Sequence, residues 1–404
     1  MEITELNLLF DRGEYMKVIQ YIDTERPSNP YIQLIKSKSL VSLGEYDSAL
    51  TIINNVKEFD SYTKCHSEVI KSNICRKQGK LDQALKLSMG IVSEINELPN
   101  NMELLSLNYS NIGSIYSGYG DLNNALDYHL KALKLNEEIG KELDIARSLN
   151  LIGIIYYKQG ELDNCLEYYK QSMEIFRKIG NRSRQAYSLF DIINTLSITD
   201  ISKIPEYLAM LEEIDNSSGN KIIHQITRLA QAIYYKTINR MYRKIEAQRL
   251  LKEIAKEPIF DFFITRDAML HLCDLLIEEF SIYHHQDILD EIMSINEMLI
   301  SIANTQSHSA KYLMVETQIF KAKLEIIYGN FDDASRILDN AYEIAENNGI
   351  LRLIDKIEED RERMTENISN WKLMLDKAGS VRERIEKMEL KNYLESMISF
   401  SKPG

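Results

Sequence analysis

The sequence predicts an all-α fold, a right-handed α-solenoid of about nine antiparallel helix pairs with capping helices at its C-terminal end. The first observation is a six-residue phrase that recurs as Gly-x-(aromatic or Leu)-(usually Asp or Asn)-x-(Ala or another small residue). The second is apolar spacing typical of helices on both sides of the phrase. The copies read GEYMKV, GEYDSA, GKLDQA, GDLNNA, GELDNC and GNFDDA, and they begin at Gly13, Gly44, Gly79, Gly120, Gly160 and Gly329. A phrase repeated about every 30–45 residues indicates one supersecondary unit stacked many times.

Residues 106–139 show how one copy of the phrase builds a helix pair. Gly120 suits the end of the first helix, where a left-handed residue closes the last carbonyl groups. Asp121 can then cap the second helix through its side chain. Ala125 lies where the two helices approach closely and a larger side chain would clash. Each phrase therefore marks the elbow of an antiparallel helix pair.

Residues 146–179 repeat this pattern with an offset of 40 residues. The offset pairs Gly113 with Gly153, Tyr116 with Tyr156, Gly120 with Gly160, and Ala125 with Cys165. Cys165 therefore fills a small-residue position, and Cys75 falls where the two tyrosines fall in their own units. We interpret both cysteines as core residues, since free cysteine is among the most buried residue types.

This pattern resembles the tetratricopeptide repeat (TPR) family. That family carries a small residue in the middle of its first helix, an aromatic residue three positions later, glycine at the elbow and small residues in its second helix. These positions hold Gly113, Tyr116, Gly120, Ala125 and Ala132 in one unit, and Gly153, Tyr156, Gly160, Cys165 and Ser172 in the next. The 40-residue offset exceeds the family's usual period of about 34 residues. The chain is therefore similar to the subgroup with a longer second helix, found in cargo adaptors such as kinesin light chain and in polarity scaffolds.

The phrase divides the chain into four predicted segments. Residues 1–182 form an array of clear repeats, and residues 183–308 form helical hairpins that have lost the phrase. A final clear repeat spans residues 309–349, and capping helices span residues 350–404. The hairpins of the degenerate segment are predicted from helical periodicity over 183–215, 220–256 and 260–302. Pro205 falls where a second helix should start, a position that tolerates proline in its first turn.

The C-terminal segment starts with a predicted charged helix over residues 350–378. Its apolar stripe consists of Ile354, Ile357, Met364, Ile368, Trp371 and Leu375. Gly379-Ser380 then breaks the helix, and a last helix runs to about residue 400. The stripe could cap the solenoid or form the seam of a homodimer. We favour the cap because the stripe is short and contains Arg361.

Composition and charge limit the classes of partner. The chain has 404 residues, a formal net charge of −13 and a pI near 5.2. Such an acidic surface disfavours nucleic acid and anionic membranes, and no apolar run approaches the roughly 20 residues of a membrane-spanning helix. The N-terminus has no basic region before its apolar residues, so it is not a secretory signal. Cys65, Cys75, Cys165 and Cys273 follow no CxxC or zinc spacing, which predicts reduced thiols in a cytoplasmic protein.

The sequence contains no motif that points to catalysis. The Walker-type phosphate loop, the dinucleotide-binding GxGxxG and the hydrolase GxSxG are all absent. His284 and His285 are adjacent and would point about 100° apart on a helix, so they cannot share a metal ion. His271 and Cys273 also fall on different helix faces. We therefore predict that the protein is not an enzyme and has no cofactor and no metal site.

The family resemblance implies that the first helices of the repeats line a concave, peptide-binding groove. The family's groove positions fall here on His66, Val69, Asn73, Arg76, Leu107, Ser110, Asn111, Ser114, Arg147, Asn150, Ile154 and Tyr157. In a less specific form of binding, the asparagines hydrogen-bond an extended peptide backbone while Ile154 and Tyr157 provide apolar contact.

A more specific form of binding is a carboxylate clamp. Chaperone-binding members of the family hold a peptide C-terminal carboxylate with two asparagines and three basic residues. Asn73, Asn111 and Arg147 occupy three of these positions, whereas Val69 and Leu151 occupy the other two. The match is partial, and the longer period shifts the geometry.

Residues 221–249 form a basic segment with a single acidic residue, Glu246. Its seven basic residues are Lys221, Arg228, Lys236, Arg240, Arg243, Lys244 and Arg249. Arg228, Lys236 and Arg240 stand at multiples of four, so they are predicted to form one helix stripe. If Ala247 occupies the small-residue position, Lys236 and Arg240 face the groove. This stripe could bind an anionic ligand such as an acidic or phosphorylated peptide. Alternatively, it complements acidic helices of neighbouring units, which an acidic protein supplies in number.

These observations favour a non-catalytic scaffold whose groove binds a peptide or helix of a partner protein. The alternative is a ligand-gated regulator, because some members of the family, including bacterial peptide-pheromone receptors, change superhelical pitch when a peptide binds. Such members usually carry an output module. Here the repeats begin almost at residue 1, so the output would come from a partner protein.

Overall fold

In a computed structural model, the chain folds almost entirely into helices, and no β-strand occurs among the residues that the structure describes. Those residues are 3–25, 29–56, 60–78, 80–238, 240–283, 285–305, 310–347, 351–374 and 392. The chain divides into two compact units, unit 1 ending at Ile223 and unit 2 beginning at His224. The predicted all-α solenoid is confirmed.

Unit 1 is a succession of helix pairs. Its helices are α1 (Ile3–Asp11), α2 (Tyr15–Glu25), α3 (Pro30–Ser42), α4 (Tyr46–Asn55), α5 (Ser61–Lys77), α6 (Leu81–Gly90), α7 (Val92–Asn96), α8 (Met102–Tyr119), α9 (Leu122–Ile139), α10 (Glu142–Gln159), α11 (Leu162–Lys178), α12 (Arg182–Thr199) and α13 (Ile204–Ser218). Each first helix packs against the second helix of its pair, and the first helices α3, α5, α8 and α10 also contact one another in order. These first helices form one continuous face of the unit.

Unit 2 continues with the same kind of element. Its helices are α14 (Lys221–Thr237), which begins at the end of unit 1, α15 (Met241–Lys256), α16 (Phe262–Tyr283), α17 (Gln286–Thr305), α18 (Ala310–Tyr328), α19 (Phe331–Asn347) and α20 (Leu351–Met374). The three hairpins predicted between residues 183 and 302 correspond to α12 with α13, α14 with α15, and α16 with α17. Pro205 lies in the first turn of α13, as predicted. With the other described helices these make nine pairs followed by α20.

The elbows close as the repeated phrase predicts. Gly120 and Gly160 end their helices with φ angles of 79° and 80°, a left-handed conformation that favours glycine. The side chain of Asp121 accepts a hydrogen bond from the backbone N–H of Asn124 at 3.1 Å and so caps α9. Gly79 itself lies outside the described residues. Local backbone chemistry therefore sets where each clear pair turns.

Small residues inside the pairs are required by close helix contact. A Cβ atom on Gly113 would lie 2.9 Å from the His129 ring, and one on Gly153 would lie 2.7 Å from the Tyr169 ring. Ala125 and Cys165 are fully buried at the matching positions of the second helices. All four cysteines are buried, which agrees with their interpretation as core residues.

Helix α20 packs on the last pair, against α18 and α19. Ile357 and Met364 of its apolar stripe are buried, and a buried ion pair joins Lys323 of α18 to Asp360. These contacts agree with a cap. The side chains of Ile368, Trp371 and Leu375, the break at Gly379-Ser380 and the predicted last helix lie outside the described residues.

Among the described residues, no helix combines the length and the apolar character that crossing a membrane requires.

Candidate functional site

The predicted groove residues of unit 1 lie on the face formed by the first helices. Asn73 and Arg76 belong to α5, Asn111 and Ser114 to α8, and Arg147, Asn150 and Tyr157 to α10. Asn111 and Ser114 are each only 7% exposed, whereas the other five are half-buried. We call the surface lined by Lys38, Asn73, Arg76, Glu103, Lys141, Asp144, Arg147 and Asn150 the helix-A face.

Arg76 joins two of the predicted residues into one network. Its Nη2 donates to Asn73 Oδ1 at 3.0 Å, and its Nε donates to Asn111 Oδ1 at 3.2 Å. Burial lowers the pKa of Arg76 to about 10, so the guanidinium stays charged at neutral pH. The three residues predicted for the groove are therefore in contact with one another. However, the side-chain oxygens of both asparagines already accept hydrogen bonds from Arg76.

Asn111 is fully engaged inside the protein. Its Nδ2 donates to Ser72 Oγ at 2.8 Å and to Ser88 Oγ at 3.0 Å. The two serine hydroxyls lie 2.7 Å apart. Because both ends of the amide have internal partners, Asn111 holds neighbouring pairs together and has no group left for a bound carboxylate. The structure gives no support to a carboxylate clamp that includes this residue.

The residues on α10 are less buried and have acidic neighbours. Arg147 forms an ion pair with Asp144 at 3.3 Å, with its side chain 29% exposed. Asn150 Nδ2 donates to Asp191 Oδ2 at 3.3 Å. Lys141 forms an ion pair with Glu103 of α8. This part of the helix-A face therefore presents charges of both signs at partial exposure.

A segment from the first helix pair lies against this part of the helix-A face. The Nδ2 of Asn181 donates to the backbone carbonyl of Asp11 at 2.7 Å, across 170 residues of sequence. The Phe10 ring has Lys38 Nζ at 5.0 Å and the guanidinium carbon of Arg147 at 5.8 Å from its centroid. These distances fall within the range of cation–π contacts. Sequence analysis did not predict this contact, because no local pattern indicates a contact between the first pair and the fifth.

Burial changes the ionisation of groups around Phe10. Burial raises the pKa of the Asp11 carboxyl, although Arg147 acts in the opposite direction. Burial lowers the pKa of Lys38, and nearby Asp144 opposes that effect. The arrangement therefore partly shields a small region of mixed charge from water, and electrostatic contacts there are stronger than at the open surface.

His66 lies at the edge of the same region. It is 3% exposed and packs between the rings of Tyr31 and Tyr62, with centroids at 6.0 Å from each. Neither of its ring nitrogens has a hydrogen-bond partner. Burial keeps its pKa well below the usual value, so the ring is neutral. Among the described residues, no group of three side chains is arranged to hold a metal ion.

The basic segment of unit 2 is paired with acidic residues of neighbouring helices. Lys236 forms an ion pair with Asp274 and lies 3.3 Å from Nδ1 of His271. Arg228 forms an ion pair with Glu257 at 2.7 Å. Lys244 likewise pairs with Glu278 of α16. These contacts agree with the interpretation that the segment complements acidic helices beside it.

The prediction of a single stripe through Arg240 is wrong. Helix α14 carries Arg228 and Lys236 but ends at Thr237. Arg240 is instead the N-cap residue of α15, with an extended backbone at φ −129° and ψ 127°. The chain turns three residues earlier than the periodicity implied, so Arg240 is exposed at the elbow.

Residues 108–139 and 146–179 match the sequence profile of the tetratricopeptide repeat, and these residues form most of α8 to α11. The long-repeat subgroup is not resolved by this match. A comparison with curated protein sequences finds no match.

Several solved structures share the fold. A Rap protein complexed with Competence and Sporulation Factor is 15% identical over 92% of this chain and 99% of that one, with a TM-score of 0.54. A signal transduction ATPase with numerous domains from Pyrococcus horikoshii, which has a tetratricopeptide repeat sensor, is 15% identical over 86% of this chain and 54% of that one, with a TM-score of 0.50. The apo quorum sensor NprR from B. thuringiensis is 11% identical over 84% and 99%, with a TM-score of 0.48. At these identities the likeness concerns the fold.

Proposed function

We propose that the protein is a non-catalytic scaffold that binds a peptide or helix of a partner protein on the helix-A face of unit 1. The observation that carries this proposal is the mixed-charge part of that face. There, Arg147 and Asp144 are 29% and 33% exposed, and Lys141 and Glu103 are 43% and 37% exposed. Half-buried charges of both signs on successive helices suit an extended peptide, because its amides and side chains offer both donors and acceptors.

The chemistry of the face supports binding rather than catalysis. Its arginines and asparagines interact with carboxylates, amides and a ring, and tetratricopeptide repeat proteins generally act as scaffolds. The structurally similar Rap protein was crystallised with Competence and Sporulation Factor, which gives a precedent for a bound factor on this fold. We place Asn73, Arg76, Arg147, Asn150 and Tyr157 in the binding surface, with Ser114 and Asn111 beneath it.

We keep four further predictions from the sequence as parts of the proposal: the repeat subgroup, the cellular location, the role of α20 and the basic residues Lys236 and Arg240. The 40-residue offset, together with second helices of 18 and 17 residues at α9 and α11, supports the long-repeat subgroup. Buried, reduced thiols support a cytoplasmic location. We propose that α20 acts as a cap rather than a dimer seam. Lys236 and Arg240 are candidates for a second contact, with an anionic ligand, and at Lys236 that ligand competes with Asp274.

A displayed library of random peptides tests the proposal. Selection on the full chain should enrich peptides whose affinity falls at least about tenfold in the double variant Arg147→Ala and Asn150→Ala. The control is Arg177→Ala, which removes an arginine that pairs with Glu174 on the exposed side of α11. Selected peptides that bind the double variant as well as the wild type would overturn the proposal.

A ligand-gated regulator is the second candidate, because the elbow of the first pair contacts the helix-A face and would have to respond to a bound peptide. Small-angle scattering with and without a selected peptide measures this response. A change in radius of gyration supports the regulator, and an unchanged value supports a static scaffold.

A further inference from the structure

The elbow between α1 and α2 is taken here as residues 10–15, from the end of α1 to the start of α2. It makes three separate contacts with residues of distant repeats. Asn181 donates to the Asp11 carbonyl, and Arg147 lies beside the Phe10 ring. The Arg184 guanidinium hydrogen-bonds the hydroxyl of Tyr15 at the start of α2. Each contact comes from α10 or from the start of α12, four or five repeats further along the chain.

The chemistry of these contacts is that of peptide recognition. A buried aromatic ring, Phe10, lies beside two cations, the carboxylate of Asp11 is next to it in sequence, and a side-chain amide donates to the backbone carbonyl of Asp11. Ordinary packing between neighbouring repeats uses the apolar contacts of Leu6, Phe10 and Val18 with α3. The contacts with Arg147 and Asn181 are additional to that packing and involve polar groups.

Arg147 belongs to the surface proposed above to bind a partner. Its guanidinium already has Asp144 at 3.3 Å and the Phe10 ring at 5.8 Å. The Phe10 side chain is only 7% exposed, so a partner side chain cannot reach the same position while the elbow is in place. A peptide that uses this position must displace the elbow.

We propose that the Phe10–Asp11 elbow is an internal ligand of the helix-A face, and that the partner segment with which it competes carries the same chemistry, an aromatic residue followed by a carboxylate. This inference rests on the proposed function for the identity of the site, and it adds the class of ligand and its regulation. The partner binds only those molecules in which the elbow has left the face. The apparent affinity for the partner is therefore the intrinsic affinity multiplied by the fraction of molecules whose face is free.

The internal contact is tested first, by hydrogen exchange of the amides of α1 and α2 in the full chain. Asn181→Asp keeps the side-chain oxygen that caps α12 through the N–H of Arg184 but replaces the donor to Asp11 with an acceptor. Exchange in α1 and α2 should become at least about tenfold faster. Asn220→Asp is the matched control, since Asn220 caps the start of α14 in the same way through the N–H of Ile222. Equal exchange in wild type and Asn181→Asp overturns the inference.

Competition is tested with a fluorescent peptide of residues 6–14, LNLLFDRGE. Asp11→Lys leaves the face intact and places a positive charge near Lys38, Lys141 and Arg147, which should release the elbow. The full chain with Asp11→Lys should bind the peptide at least about tenfold more tightly than the wild type. The same peptide with alanine for phenylalanine and asparagine for aspartate should not bind.

The failures of the two proposals have different signatures. Equal peptide affinity for wild type and Asp11→Lys overturns the internal ligand, while library peptides that depend on Arg147 and Asn150 still support the scaffold. Library peptides that ignore both residues overturn the scaffold, while faster exchange in Asn181→Asp still supports the intramolecular contact. The double variant Asp11→Lys and Arg147→Glu should no longer bind the fluorescent peptide. Loss of binding supports the inference, and retained binding overturns it.

Discussion

Unit 1 and unit 2 are built from the same kind of helix pair but are held together differently. In unit 1, small residues such as Gly113 and Gly153 allow close helix contact, and the ion pairs Lys141–Glu103 and Arg147–Asp144 stay partly exposed. In unit 2, charged groups are taken into the protein: the side chains of Lys323 and Asp360 are 3% and 5% exposed, and that of Asp274 is 5% exposed. The difference teaches that a repeat packed by shape can leave ion pairs at its surface, where they are available for binding, whereas a repeat packed by buried ion pairs uses those charges internally.

The largest expected effect comes from breaking a buried ion pair in unit 2. Lys323→Met leaves Asp360 charged and buried, which should destabilise the packing of α20 on α18 by about 3–5 kcal/mol. Native-state hydrogen exchange of α20 amides measures the loss. The double variant Lys323→Met and Asp360→Leu should recover most of it, because replacing a whole buried pair with apolar residues is often neutral.

A matched control lies two residues away on the same helix. Lys321 pairs with Glu297 at the surface, with side chains 26% and 49% exposed. Lys321→Met should therefore cost no more than about 1 kcal/mol. Equal losses for Lys321→Met and Lys323→Met would show that burial of charge does not distinguish the two pairs, and the contrast between units would fail.

In unit 1 the strongest test is steric rather than electrostatic. Gly153→Ala places a Cβ atom 2.7 Å from the ring of Tyr169, which is fully buried. We expect a loss of about 1–3 kcal/mol in the exchange stability of α10 and α11. Gly90→Ala is the control, since no atom lies within 4 Å of its Cβ position, and it should be neutral or stabilising by up to about 1 kcal/mol. Similar losses at both glycines would remove close contact as the explanation.

The sequence predicted the helix pairs well because each depends on local chemistry. The glycine elbows and the apolar periodicity act within about 40 residues, so even the hairpins between residues 183 and 302 could be placed without a repeated phrase. The error at Arg240 arose because periodicity extends a helix smoothly, whereas the chain ends α14 at Thr237. The residue at which a helix ends depends on tertiary contacts, and the apolar periodicity of the sequence carries no information about them.

The candidate site was less predictable because it depends on contacts between repeats. Asn73 and Asn111 lie on the face of the first helices, but Arg76 donates to the side-chain oxygen of each. The same position in the repeat can therefore hold a residue that binds a ligand or a residue that hydrogen-bonds inside the protein, according to its neighbours. The contact between Asn181 and Asp11 spans 170 residues, and no pattern within a single repeat predicts it.

The expected effect that is smallest at neutral pH is a pH dependence in unit 1 that comes from a buried neutral group. His129 lies against Gly113 and is 1% exposed, and neither ring nitrogen has a hydrogen-bond partner. Burial, with smaller contributions from Arg76 and Lys158, lowers its pKa to about 3. In the unfolded chain the imidazole has a pKa near 6.5, so the unfolded state binds the extra proton between these two values. Stability should therefore be unaffected by His129 above about pH 6.5 and should fall as the pH drops toward about 3, by up to about 1.4 kcal/mol per pH unit.

Hydrogen exchange of α8 and α9 at several pH values, compared with His129→Leu, isolates this contribution. In His129→Leu, the stability of α8 and α9 should depend less on pH than in the wild type. His285→Gln, at an exposed position of unit 2, should keep the pH dependence of the wild type. An unchanged slope in His129→Leu would mean that the ring accepts a proton in the folded state. Unit 1 would then accommodate buried charge as unit 2 does, and the contrast between packing by shape and packing by ion pairs would no longer separate them.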